Sequence, residues 1–294
     1  KYTGPVDGHD ITAIEFALTR AREYAEPVIV HVITEKGRGY TPAEEDNADR
    51  FHAVGRIHPE TGLPVVPSRF GWTAVVAEEL VELARGDERI VGITAAMQQP
   101  VGLQPLADAM PERVIDVGIA EQHAATFAAG LAAAGRKPVL ALYSTFAQRA
   151  YDQILHDVCL QNLHVVFALD RAGFVGEDGA THHGVFDYSY LRHLPNMKVL
   201  APKDENELGR MLKTALSLEG PVALRYPRGE GLGAALEEPF NPLESLAAEV
   251  LEEEGEIALL AVGSMVDAAQ KTAKLLKEEG LSAAVINMRT VKPL

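Results

Sequence analysis

Three stretches of this sequence bring together side chains able to do chemistry. In the first, Glu121 is followed at once by Gln122 and His123. About 25 residues on, Tyr143, Phe146 and Arg149 combine two flat rings with a guanidinium. In the third, residues 173–184 are rich in glycine and hold Glu177, Asp178, His182 and His183. An acid, an aromatic face and a planar cation form a set suited to a flat, nitrogen-rich heterocycle and to anions, since an arginine fork binds phosphate oxygens in pairs. Each residue also has a plainer explanation. Glu121 complements a helix dipole, Phe146 packs in a core, and Arg149 pairs with Asp152 or Asp157. The adjacent histidines raise a metal site, but the spacing needed to gather three or four ligands is not apparent.

The elements that must position these residues follow from periodicity. Residues 70–235 alternate strand and helix patterns, the sign of an α/β, doubly wound parallel sheet. Strands are expected at 89–94, 113–117, 138–143, 164–170, 198–201 and 222–226, and helices at 71–84, 120–134, 146–162 and 204–218. Gly118 permits the tight turn that puts Glu121 in the first turn of a helix just beyond a strand. Glu121, Tyr143, Phe146 and Arg171 then fall at or past the carboxyl ends of strands, where open α/β sheets bind ligands. Arg228 ends the last strand of this stretch and faces either the same crevice or solvent. Acidic residues within 202–207 cap a helix.

Composition narrows the class. The chain has 294 residues, of which 47% are hydrophobic and 23% charged, so it has room for more than one core. No apolar run approaches the roughly 20 residues that cross a bilayer, so no membrane span is expected. A formal charge of −15 and no basic cluster argue against a nucleic-acid partner. The lone Cys159 reads as a buried core thiol in a reducing cytosol, and a cytoplasmic location is expected.

Several motifs, in this order, carry a resemblance that covers nearly the whole chain. They are Lys1-Tyr-Thr-Gly-Pro-Val-Asp-Gly-His9, Lys36-Gly-Arg-Gly-Tyr40, Gly118-Ile-Ala-Glu-Gln-His-Ala124, Tyr143-Ser-Thr-Phe146 and Gln148-Arg-Ala-Tyr-Asp-Gln153. Asp170-Arg-Ala-Gly173, Asp178-Gly-Ala-Thr-His-His-Gly184 and Arg225-Tyr-Pro-Arg-Gly229 complete the set. Together they closely resemble the 1-deoxy-D-xylulose-5-phosphate synthases, thiamine-diphosphate enzymes of the transketolase-like superfamily. The resemblance implies that pyruvate loses CO₂ and that its two-carbon remainder joins D-glyceraldehyde 3-phosphate, the first step of the non-mevalonate isoprenoid route and a source for thiamine and pyridoxal synthesis. It implies a homodimer, with thiamine diphosphate and Mg²⁺ as cofactors.

By resemblance, Glu121 bonds the cofactor's aminopyrimidine ring and Phe146 stacks on it, with Tyr40 a further cofactor contact. His52, in its Phe-His-Ala context, Asp178 and His182 are candidates for proton handling and for orienting the acceptor. Tyr143, Arg149, Arg171 and Arg228 are candidates for binding carboxylate or phosphate. The organisation implied is a tail of the diphosphate-binding domain at 1–40, a linker at 41–69, the pyrimidine-binding domain at 70–235 and the start of a carboxyl-terminal domain at 246–294. The chain opens without Met and without a signal-peptide pattern and reads as an interior fragment, so its Mg²⁺ ligands are expected in a preceding part. Two alternatives stay open: another thiamine-diphosphate enzyme, either a transketolase or the β subunit of a 2-oxoacid dehydrogenase, and a noncatalytic module.

Overall fold

The computed structural model describes every residue except 47–49, 53, 55, 64, 66–70, 238 and 254. The expected boundary between 69 and 70 therefore lies outside the described residues. The chain divides into two compact units, residues 1–68 and 69–294.

In the first unit β1 (Tyr2–Asp7) and β2 (Ile29–Ile33) pair in parallel across the helix Ile11–Arg22. Asp10 caps that helix, its carboxylate accepting from the Ala13 N–H at 3.1 Å. The strand β2 is apolar yet not buried: Ile29, Val32 and Ile33 are exposed, as are Ile11 and Leu18 on the helix. Two strands and one helix enclose too little volume to bury both faces of the pair.

The second unit is built on a seven-stranded sheet. Its strands are β3 (Ile90–Thr94), β4 (Val114–Asp116), β5 (Lys137–Tyr143), β6 (Val166–Asp170), β7 (Lys198–Leu200), β8 (Val222–Arg225) and β12 (Thr290–Lys292), in the order β12-β7-β8-β6-β5-β3-β4. Six run parallel, while β12 pairs antiparallel with β7 at one edge. β3 and β6 are buried along their full length, as strands covered on both faces must be. The progression reverses at β3, with β4 on one side and β5 on the other. Right-handed connections around such a reversal send helices to opposite faces and open a crevice at the carboxyl ends. Helix Trp72–Gly86 packs on Glu205–Ser217, and Glu121–Ala133 packs on the 154–159 turn.

The expected helix over 146–162 is not one regular helix. It starts at Ser144 and passes through a 3-10 turn at Gln148–Ala150 and a π turn at Ile154–Cys159. The carboxyl-terminal part adds β9 (Glu249–Glu252), β10 (Ile257–Ala261) and β11 (Ala283–Asn287) as a separate three-stranded sheet in the order β10-β11-β9, with the helix Met265–Glu278. An ionic network ties this part to the main sheet. The buried Glu207 carboxylate accepts from the Lys203 backbone N–H at 2.8 Å, Arg289 Nε at 2.9 Å and Asn287 Nδ2 at 3.0 Å. Asp204 caps the same helix by accepting from the Glu207 N–H at 2.7 Å, the capping role expected of this acidic stretch.

Two outcomes follow. Glu207→Ala leaves Arg289 and Asn287 without their buried acceptor and lowers unfolding free energy by about 3 kcal/mol in a denaturant titration. Cys159 is fully buried, and burial pushes its thiol up to about 12. It is therefore alkylated at pH 8 only when the chain unfolds, which mass spectrometry with and without denaturant reads directly.

Candidate active site

Glu121 opens the helix Glu121–Ala133 after the turn at Gly118, whose φ is +74°. Asp116 shapes that turn by accepting from the N–H of Gly118 at 2.9 Å and of Ala96 at 2.7 Å. Glu121 is only 4% exposed, and among the described residues no hydrogen bond or ion pair reaches its carboxylate. The side chain is buried, while its carboxylate oxygens are not sealed from solvent and are left open as acceptors. Its position marks a place where a ligand's polar atom would complete it.

On the other side of β3, the end of β5 leads into the helical turn Ser144–Ala147. The rings of Tyr143 and Phe146 stack there with centroids 5.5 Å apart and planes 13° apart. His182 stands edge-on to both, 5.4 Å from Phe146 and 6.3 Å from Tyr143. Arg149 lies over the Phe146 ring at 5.8 Å, three residues on and therefore on the same helical face. The ion pair with Asp152 or Asp157 that would explain Arg149 otherwise is not present among the described residues. Asp157 instead accepts from Thr126 Oγ1 at 2.6 Å.

Arg171 lies over the other ring, its Cζ 4.3 Å from the centre of Tyr143. Its Nη1 donates to the Pro100 carbonyl at 2.7 Å and to Asp170 Oδ2 at 2.8 Å, while its backbone sits in the left-handed region at φ +57°. Asp170 is fully buried and also accepts from Thr73 Oγ1 at 2.7 Å. Burial pushes the Asp170 carboxyl up, and Arg171 opposes that shift. Burial likewise pushes the Tyr143 phenol up against the pull of Arg171, so the ring stays neutral.

The loop after β6 is pinned at its neck. Gly173 and Gly184 exchange two backbone hydrogen bonds of 2.8 Å, and Thr145 Oγ1 donates to the Thr181 carbonyl at 3.2 Å. Within the loop, Asp178 pairs with Arg228 Nε at 2.9 Å, so Arg228 is not a free rim cation. The structure thus gathers Tyr143, Phe146, Arg149, Arg171, Asp178, His182 and Arg228, with Glu121 across β3 on the same edge of the sheet. Tyr40 and His52 belong to the first unit. There Tyr40 packs edge-on against Phe51 at 5.8 Å, and Lys36 Nζ contacts His52 Nδ1 at 3.2 Å. Among the described residues no three His, Cys, Asp or Glu side chains gather for a metal. No helix among them is long and apolar enough to cross a membrane.

Sequence reasoning missed the supports of this site. Asp170 carries a motif position but no sign of its burial, and nothing in the sequence links Thr73 or the Pro100 carbonyl to it.

The family model described as the transketolase pyrimidine binding domain matches residues 68–232, more than half of the chain. The chain belongs to that family. Residues 246–294 match the transketolase C-terminal domain and residues 1–34 match 1-deoxy-D-xylulose-5-phosphate synthase. Curated proteins named 1-deoxy-D-xylulose-5-phosphate synthase are similar over the whole chain: one from Desulforudis audaxviator at 56% identity and one from Pelotomaculum thermopropionicum at 57%. In both cases the match covers 100% of this chain and 46% of the relative, so the chain spans less than half the length of those proteins. A split-gene transketolase, solved as an inactive β4 tetramer, is 33% identical with a TM-score of 0.66, over 74% of this chain and 70% of that one. The resemblance read from the motifs and the α/β, mostly parallel fold are both borne out.

Gly184 is the tightest point of the loop neck. A Cβ there would stand 2.6 Å from the Arg171 carbonyl and from Ser144 Cβ and Oγ. Gly184→Ala is expected to destabilise by about 1–3 kcal/mol. Gly130→Ala, in a helix with nothing within 4 Å of the added carbon, is expected to stabilise by up to about 1 kcal/mol. Paired denaturant melts check the contrast.

Proposed function

We propose that this chain carries the pyrimidine-binding part of a 1-deoxy-D-xylulose-5-phosphate synthase, which joins the two-carbon remainder of pyruvate, after loss of CO₂, to D-glyceraldehyde 3-phosphate. The observation that carries the reading is the Glu121 carboxyl, held at a helix start with no partner among the described residues, across β3 from a stacked aromatic pair. A carboxyl so placed suits a ring nitrogen that shares its proton, and the flat faces of Phe146 and Tyr143 suit an aromatic heterocycle. These residues fit thiamine diphosphate, which when bound supplies the electron sink that lets a 2-oxo acid lose CO₂ and its remainder attack an aldehyde.

The chain's own residues then have distinct tasks. Glu121 bonds the pyrimidine nitrogen, and the bound ring itself would cover the carboxyl from water, which strengthens that hydrogen bond. Phe146 backs the ring and Tyr143 backs Phe146. Arg149 and Arg228 present guanidinium groups to the carboxylate or phosphate of the substrates. Asp178, already bonded to Arg228, and His182, beside both rings, are placed to move protons at the acceptor carbonyl. Arg171 has one nitrogen committed to Asp170 and Pro100, so its contribution to an anion comes from the rest of its fork. Tyr40 and His52 act in this reading as the cofactor contact and the additional proton carrier. Mg²⁺ is held by residues outside this set, and the working form is a homodimer in the cytoplasm.

The test is CO₂ release from pyruvate by the full-length parent protein with thiamine diphosphate and Mg²⁺, with and without glyceraldehyde 3-phosphate. Glu121→Ala is expected to lower the rate by about a hundredfold or more while the protein stays folded. Full activity in that variant would sink the assignment of Glu121. Turnover of a ketose phosphate instead of pyruvate would make the parent a transketolase.

A further inference from the structure

The 173–184 loop carries two adjacent histidines in different surroundings. His182 looks onto the rings of Tyr143 and Phe146. His183 turns to the loop's own backbone: the Val175 N–H donates to its Nδ1 at 3.1 Å, and its ring stands edge-on to Phe174 with centroids 5.2 Å apart. A backbone N–H only donates, so Nδ1 must be the bare, accepting nitrogen, and the imidazole is neutral with its proton on Nε2.

The burial pattern gives this bond its weight. Val175 is 4% exposed, whereas its neighbour Phe174 is 82% exposed. With its residue buried, the Val175 N–H has little water to fall back on. Leaving such a donor unpaired costs more than an ordinary hydrogen bond contributes. The loop's backbone hydrogen bonds lie at Gly173–Gly184, at Gly179 to Gly176 and at His182 to Gly179; His183 serves the Val175 donor.

We propose that His183 is a positioning residue for this site. By accepting from Val175 it keeps that residue of the loop in its buried position, and the loop so held keeps Asp178 on Arg228 and His182 against the aromatic pair. It does not exchange protons with substrate, because its bare nitrogen is occupied by the chain itself. The loop geometry stands independently; its effect on turnover rests on the proposed function.

Amide hydrogen exchange in the full-length parent protein tests the geometry, using wild type, His183→Ala and His183→Asn, whose Oδ1 offers an acceptor near the place of Nδ1. Exchange at Val175 is expected to rise about five- to tenfold in His183→Ala and to return towards wild type in His183→Asn, with β5 and β6 unaffected. In steady-state assays of the same proteins, KM for glyceraldehyde 3-phosphate rises in His183→Ala and recovers in His183→Asn, while CO₂ release from pyruvate alone stays near wild type. Unchanged exchange at Val175 in His183→Ala overturns the proposal, as does an asparagine variant that behaves like alanine. Acceleration spread evenly over β5 and β6 also overturns it, since that marks a role in global stability. A wild-type protein with no turnover of pyruvate defeats the proposed function, while the exchange measurement still decides the role of His183.

Discussion

Asp170 ends a strand whose residues are all buried, and its carboxylate has no access to water, so every donor that keeps it ionised has to come from the protein. Those donors are Thr73 Oγ1, the Arg171 backbone N–H at 2.6 Å and the Arg171 guanidinium. For one residue to give both its amide and its side chain to its neighbour, Arg171 adopts the left-handed conformation, at a cost of about 1 kcal/mol or more outside glycine. The guanidinium then lies over Tyr143, and Tyr143 stacks on Phe146. One buried charge thus sets the orientation of a ring pair it does not touch.

The same end of the sheet holds its polar side chains by different means. The Glu121 carboxyl is presented by a helix start and has no partner among the described residues, whereas Asp178 and Arg228 satisfy each other. A pair of this kind keeps two charges from paying separately for desolvation, yet each stays partly exposed and open to exchange partners. The loop that carries Asp178 is anchored through Val175 and the Gly173–Gly184 bonds rather than by regular secondary structure. Position there depends on a few specific contacts.

Away from the site, the Glu207 network makes the carboxyl-terminal part continuous with the main sheet. Lys203, Asn287, Arg289 and Glu249 surround one buried carboxylate, and β12 extends the sheet beside β7. The antiparallel strand needs no crossover helix, which is why a short carboxyl-terminal segment can close that edge.

Periodicity and composition by themselves determined the α/β alternation, because buried parallel strands need continuous apolar runs and the helices between them need a 3.6-residue pattern. They also placed Glu121, Tyr143 and Phe146 at or just past strand ends, since a turn glycine and the end of an apolar run are local signals. Tertiary structure alone decided the strand order, the antiparallel β12, the exposure of β2 and the broken helix after Ser144. It alone paired Asp178 with Arg228, turned Arg171 onto Tyr143 and gave His183 to Val175. Those contacts join residues from different strands and loops, and no spacing along the chain encodes which buried donor will meet which acceptor once the sheet has closed around them.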